Sequence, residues 1–418
     1  MNFAESYWQS LMHVIDQGTI TGEAGWAYRI IMFPVSLIGI LLVSTLVSIL
    51  NAGFQVKLEE MKKGKSLVIE ENQTIIIGWS SKIFPIVSEL ILANLNQSKS
   101  CVVILADMDK TTMEDEVKAK VGNYFKTKVI CRSGNPIDID DLNITNLNAA
   151  KSIIIIAPEV SKADTYVIKT IMAIVNNPSR KSEPFNIIAE INEDINKDIA
   201  KLVGKEEVTI LVGNEVISKI TVQSSRQSGL SIVYSTLLGY ADNEIYIQPV
   251  GKIGGHTFEE LLYGFENICV IGIRYPDGRV EINPPLNTLL SNKDELVIIA
   301  EDDIDLTFIP KKRDIVKLPE VTYKKDISYE KHKTLILGWN SNTRIVIKEL
   351  DNYVKTDSEI HIYAEGEDLG GKVAALNSEI KNQTITYKNI DINDRKELNK
   401  INFKYFDHII IVSYSDLY

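Results

Sequence analysis

The chain has 418 residues, 45% of them apolar and 24% charged, with 45 Lys and Arg against 56 Asp and Glu for a net charge of −11. This is a foldable composition and not a disordered one, and its acidic balance excludes nucleic acid as the main partner, because phosphate binding needs a basic surface. Three cysteines in this length exclude a disulfide scaffold; Cys101, Cys131 and Cys269 show no CxxC spacing, and each lies in an apolar strand-like run and is expected to be a buried small hydrophobe in a reducing compartment.

Phe3, Tyr7, Trp8, Leu11, Met12 and Ile15 recur at helical spacing. They predict a short amphipathic helix, too short to cross a bilayer. A loop with Asp16, Gln17, Gly18, Thr19 and Glu23 follows, and then Ile30–Leu50, an apolar run of 21 residues without a charge. At 1.5 Å per residue this run spans about 31 Å, the thickness of a hydrocarbon core. Short helix, glycine-bearing loop and spanning helix (30–50) is the order of a re-entrant pore loop. A ring of Asp16 carboxylates around a symmetry axis would favour cations. The alternative is an interfacial helix with a surface loop. Ser36, Ser44 and Ser48, at multiples of four, would line a water-filled pore or else bond back to their own helix. Lys57, Lys62, Lys63 and Lys65 follow the run and only Arg29 precedes it, so the positive-inside rule puts the C-terminal part in the cytoplasm.

After a linker over 51–69, near-continuous apolar runs predict strands at 74–77, 101–106, 128–131, 152–157, 186–191 and 208–212, most of them separated by helical patterns. Strands apolar on both faces belong to a parallel sheet covered by helices, here a Rossmann-like domain over 70–242. A small α+β module is expected over 243–310, with strands at 244–248, 269–275 and 296–300. The segment TIIIGWSS at 74–81 returns 260 residues later as TLILGWNS at 334–341. A second Rossmann-like unit over 330–418 is therefore expected, breaking off after about four strands with its sheet incomplete.

The turn after the first strand keeps only Gly78 of G-x-G-x-x-G. Ser80 and Ile83 replace the other glycines, which obstructs a pyrophosphate; Asp107, at the end of the second strand, is placed to hold a ribose hydroxyl. NAD is therefore an unfavoured cofactor. No HExxH, nucleophile elbow or Walker loop occurs. Asp107 and Asp109, then Asp138, Asp140 and Asp141, then Glu301, Asp302 and Asp303 form acidic groups that could converge on Ca²⁺ or could be solvated charge at strand ends.

The stretches LEEMKKGKSLVIEENQTIIIGWSSKIFPIVSELILAN, VICRSGNPIDIDDL, LVGKEEVTILV and ITVQSSRQSGLSIVY, with ILADMDKTTMEDE and VIIAEDD, resemble the Castor/Pollux-type ion channels over nearly the whole chain. The resemblance implies a homotetramer in a lipid bilayer, in bacteria the inner membrane. It implies a cation pore for K⁺ or Ca²⁺, a filter around 15–19, and a cytoplasmic gating ring of RCK domains (regulators of potassium conductance) with Ca²⁺ as regulator. It also implies outer helices before residue 1 and further sequence after Tyr418, so that the chain reads as a fragment. The alternatives are a pore-less membrane-anchored regulator of the Trk type binding a nucleotide or ion, and an NAD-dependent oxidoreductase.

Overall fold

A computed structural model describes residues 2–15, 25–62, 64–97, 99–160, 162–240, 243–301, 307–309, 331–366 and 368–414. The amphipathic segment forms α1 (Phe3–Ile15), and the apolar run lies inside one long helix, α2 (Trp26–Lys62). The helix outlasts the apolar run by 12 residues. Its continuation, NAGFQVKLEEMK, is rich in helix formers, and no strong breaker intervenes before Gly64, whose φ of +71° turns the chain away. The uncharged core of α2 is almost wholly exposed in the single chain, and the stretch Arg29–Gln55 is long and apolar enough to span a bilayer.

The first α/β unit is built on β1 (Thr74–Ile77), β2 (Ser100–Ala106), β3 (Thr127–Ser133), β4 (Ser152–Ile155), β5 (Ile187–Ile191) and β6 (Val208–Val212). All pair in parallel in the order β3-β2-β1-β4-β5-β6, the doubly wound order that reverses between β1 and β4. Helices α3 (Ile83–Ala93), α4 (Lys110–Val121), α5 (Ile139–Asn143), α6 (Ala163–Val175) and α7 (Lys197–Gly204) connect the strands. Side chains alternate along a strand, so β1 feeds two cores. Ile75 and Ile77 pack with Val167 and Ile171 of α6, and Ile76 packs with Val87 of α3 and Met113 of α4. That double burial is why the strand reads as unbroken isoleucine. Cys101 and Cys131 lie in this core, and burial pushes their thiols up to about 11 and about 12.

Helices α8 (Gly213–Arg226) and α9 (Leu230–Leu238) lead to an antiparallel sheet, ordered β7-β10-β8-β9, of β7 (Glu244–Pro249), β8 (Cys269–Arg274), β9 (Val280–Ile282) and β10 (Glu295–Ala300). Helix α10 (Phe258–Tyr263) crosses this module, held at its start by a reciprocal Thr257/Glu260 capping box. Cys269 is exposed here, contrary to the expectation of burial. It starts β8, where the outer face of a one-sided sheet meets solvent.

The second α/β unit has β11 (Lys333–Leu337), β12 (Ser358–Ala364), β13 (Gln383–Asn389) and β14 (His408–Ile411), parallel in the order β13-β12-β11-β14. Helices α11 (Thr343–Asp351), α12 (Leu369–Asn377) and α13 (Arg395–Leu398) connect them. This order matches that of the first four strands of the first unit. The two units share hydrogen bonds as well. The N–H of Gly78 donates to Leu105 and that of Gly338 to Tyr363, both at 2.9 Å; the N–H of Ile156 donates to Ile77 and that of Val412 to Leu337, also at 2.9 Å. Helix α8 reaches across to the second unit, burying Val222 in its core and accepting a 3.1 Å contact from His408 Nδ1 at the Ser225 carbonyl oxygen.

Candidate functional site

In a doubly wound sheet, ligands enter the crevice where the strand order reverses, here between the C-terminal ends of β1 and β4. Gly78 occupies this turn at φ +101°, and a Cβ there would lie 2.6 Å from the Ile156 carbonyl oxygen. The glycine is thus required by the close passage of the chain after β4. Gly338 repeats the arrangement at φ +95°, 2.2 Å from the Val412 oxygen.

The chain's own carboxylates fill the position of a phosphate. Glu159 Oε1 accepts from the Ser81 N–H at 2.8 Å and from the Ser81 hydroxyl at 2.6 Å. Those two bonds hold the Glu159 carboxyl below its usual range. Lys82 pairs with Glu190, whose other oxygen accepts from the Ala157 N–H at 3.3 Å. Ser80 is buried and turned to the Lys82 N–H at 3.4 Å. Asp107 is exposed at the end of β2, close enough to contribute to raising Tyr166, which burial chiefly pushes up to about 12. Gly78 and Ser80 stand in the turn after β1 and Asp107 at the end of β2, and the donors of the turn's Ser81 and Lys82 are already bonded to Glu159 and Glu190. In the second unit Asn340 Oδ1 accepts from the Asn342 and Thr343 N–H groups at 3.1 and 3.2 Å, closing the equivalent turn with an amide.

The acidic groups are dispersed in capping and pairing. Asp109 caps α4 through the Thr112 N–H at 3.0 Å, and Asp138 caps α5 through the Asp140 N–H at 2.9 Å. Asp140 lies in the first turn of α5, where its charge suits the helix dipole. Asp141 accepts from the Asn135 N–H at 2.8 Å and pairs with Lys65 at 2.5 Å. Glu301 is exposed after β10; Asp302 and Asp303 lie outside the described residues. Among the described residues no three His, Cys, Asp or Glu side chains converge as a metal site.

At the N-terminal end, Asp16, Gln17, Gly18, Thr19 and Glu23 lie outside the described residues. Helix α1 packs on α2 where a Cβ at Gly39 would meet the Val14 carbonyl oxygen at 2.5 Å. Ser36 is buried, whereas Ser44 and Ser48 are exposed. Each four-residue step advances about 40° around a helix, so Ser36, Ser44 and Ser48 spread over about 120° of the α2 surface.

Sequence reasoning missed the attachment of α2 to the first sheet. The segment after Gly64 lies along the β3 edge. The Ser133 N–H donates to the Gly64 oxygen at 3.3 Å and Arg132 Nε donates to the Ser66 oxygen at 2.6 Å. Val68 is buried, with its N–H on the Ile144 oxygen at 2.8 Å. Lys65–Asp141 and Lys128–Glu70, both at 2.5 Å, pin its two ends, and the Lys128 bond holds Glu70 below the usual carboxylate range. The sequence signal was the pair of basic residues, Lys128 and Arg132, on one face of β3.

Residues 214–316 match the family described as Castor and Pollux, part of voltage-gated ion channel. The chain is 27% identical over 421 residues to a probable ion channel POLLUX of Arabidopsis thaliana, covering 99% of this chain and 51% of that protein. It is 27% identical over 417 residues to the ion channel CASTOR of Lotus japonicus, covering 97% of this chain and 48% of that protein. The chain thus spans about half the length of the curated relatives it matches. The structure of the human SLO3 gating ring covers 82% of this chain and 67% of its own at a TM-score of 0.53 and 16% identity, a likeness of fold. These relatives are named ion channels and not enzymes, and the chain matches the Castor/Pollux family model over residues 214–316 and resembles Castor/Pollux ion channels over nearly its whole length.

Proposed function

We propose that the chain is a subunit of a cation channel in which a ring of RCK-type α/β units gates a membrane pore. Four copies of α2 would surround the pore, with residues 16–19 and Glu23 at its outer mouth, K⁺ or Ca²⁺ passing through, and the α/β units on the cytoplasmic side, in bacteria beneath the inner membrane. The observation that carries this reading is the latch. A single helix leaves the bilayer-length apolar run and is tied within a few residues to the edge strand of the first sheet by Gly64, Lys65, Ser66 and Glu70. A shift of β3 and α5 then pulls directly on the inner end of α2. A ligand can move such a gate only as far as it prefers one ring state over the other.

The self-filled crevice favours a Rossmann fold used as scaffold, with NAD not its ligand. Ca²⁺ is the regulatory ligand implied by the family. With Asp109, Asp138 and Asp141 committed to caps and ion pairs, Asp107, Asp140 and the segment 301–303 are the carboxylates left for it.

Reconstituting the full chain in liposomes tests the reading. A K⁺-loaded vesicle should lose K⁺ down its gradient, and Asp16→Asn should slow that loss several-fold. Vesicles that retain K⁺ as protein-free ones do would contradict the channel reading, and an unchanged rate in Asp16→Asn would remove Asp16 from the filter.

A further inference from the structure

The cleft between α11 and α12 differs from its counterpart in the first unit. Across the repeat, Trp79 and Phe84 correspond to Trp339 and Arg344. The next helices begin at their N-cap aspartates, Asp109 and Asp368, so Met113, Val117 and Lys120 correspond to Lys372, Leu376 and Glu379. In the first unit the space is full. The Phe84 ring stands edge-on to Trp79 with centroids 5.8 Å apart, the Lys120 ammonium sits 4.0 Å above Phe84, and Met113 is fully buried.

In the second unit Arg344 replaces the Phe84 ring, and the exposed Lys372 stands one residue before the buried Val373. Arg344 and Lys348 each reach Glu379 at 2.5 Å, which holds that carboxyl down at about 2. A cavity of about 320 Å³ remains, lined by Trp339, Arg344, Lys372, Ala375, Leu376 and Glu379. Its size is at the lower end of small-molecule sites, about 300–1,000 Å³. Its wall is mostly apolar; the cations Arg344 and Lys372 and the carboxylate Glu379 line it, and Lys348 pairs with Glu379 from beside it.

We propose that this cavity binds a small planar aromatic anion, its ring against Trp339 in the space that Phe84 fills in the first unit and its carboxylate or phosphate against Lys372 and Arg344. The internal repeat supplies the precedent for the ring, an aromatic beside the equivalent tryptophan under a cation. The charge surplus supplies the anionic group, because Arg344 and Lys372 share one lining carboxylate, Glu379. The site is separate from the β1/β4 crevice and does not depend on whether the chain conducts ions.

The test is a titration of the full chain in detergent with 1-naphthoate, read by tryptophan quenching with Trp339→Phe as the control for the signal. Saturable quenching is expected in the wild type. Arg344→Phe/Glu379→Lys transplants the Phe84/Lys120 pair of the first unit and should weaken binding at least tenfold. If the double variant does not fold, Lys372→Met, which installs the Met113 side chain, should weaken it in the same direction. Absence of saturation in the wild type at millimolar probe would overturn the proposal. Equal affinity in the folded filled variant would do so too, as would inorganic phosphate competing as well as the aromatic anion.

Discussion

Gly78 and Glu379 show how single residues act in this chain. Gly78 was legible in the sequence as the one surviving glycine of a nucleotide-binding pattern, but its φ of +101° and the Ile156 oxygen 2.6 Å from a notional Cβ give it a packing role. Gly78→Ala should cost about 2–3 kcal/mol, combining a left-handed backbone penalty with displacement of the chain after β4. A denaturant midpoint equal to wild type would contradict this. Glu379 has its folded pKa lowered from 4.5 to about 2 by Arg344 first and Lys348 second. A lowered carboxyl pKa adds stability that is fully present above the unfolded value and is lost as pH falls through the folded one. Between about pH 4.5 and 2 the wild type should therefore lose more stability than Glu379→Gln, and parallel melting curves across that window would refute the pairing. The cysteines divide by the same logic of position: Cys101 and Cys131 sit between two layers, and Cys269 lies at the open face of a one-sided sheet.

At the scale of elements, the parallel strands were legible because burial on both faces writes itself as TIII, CVVILA and SIIIIA, and the observed β1 and β6 have the expected bounds. The α1 amphipathic pattern was equally plain. The unequal burial of Ser36, Ser44 and Ser48 was not, because i, i+4 spacing spirals around the helix and which serine is covered depends on packing. The latch was not legible either. Its five bonds join residues 58 to 76 positions apart, and three of them use backbone atoms, which carry no sequence signature. Arg132 donates to the Ser66 oxygen at 2.6 Å and to the Cys131 oxygen at 2.9 Å. In the proposed channel, Arg132→Ala combined with Lys65→Ala should reduce the ligand dependence of open probability severalfold while leaving unitary conductance unchanged. A reduced unitary conductance would place these residues in the ion path and not in the coupling.

For the whole molecule, the repeat was readable from TIIIGWSS and TLILGWNS. The consequence of Arg344 standing at the position of Phe84 needed the fold, since only there do α11 and α12 face each other across Trp339. The single chain also leaves apolar surface that a ring would cover. Ile195, Ile199 and Leu202 fall on one face of the α7 region at helical spacing, and Ile195 and Leu202 are 80% and 81% exposed. Ile199→Lys/Leu202→Lys should shift the full chain in detergent from its assembled form to smaller species by light scattering, at little cost to folding. An unchanged mass would remove α7 from the contact between copies. If Ca²⁺ binds the ring, it should also raise the melting temperature of the full chain by linkage, because only the folded state offers the site.

The proposed coupling of a ring to a pore through the segment after Gly64 is tested most directly by single-channel recording of the full chain in a planar bilayer under a KCl gradient, with Ca²⁺ added to the side bearing the α/β units. Unitary currents with a cation-selective reversal potential and a Ca²⁺-dependent open probability are the predicted result. A bilayer containing the protein that stays silent at every Ca²⁺ concentration, or currents whose open probability ignores Ca²⁺, would contradict it.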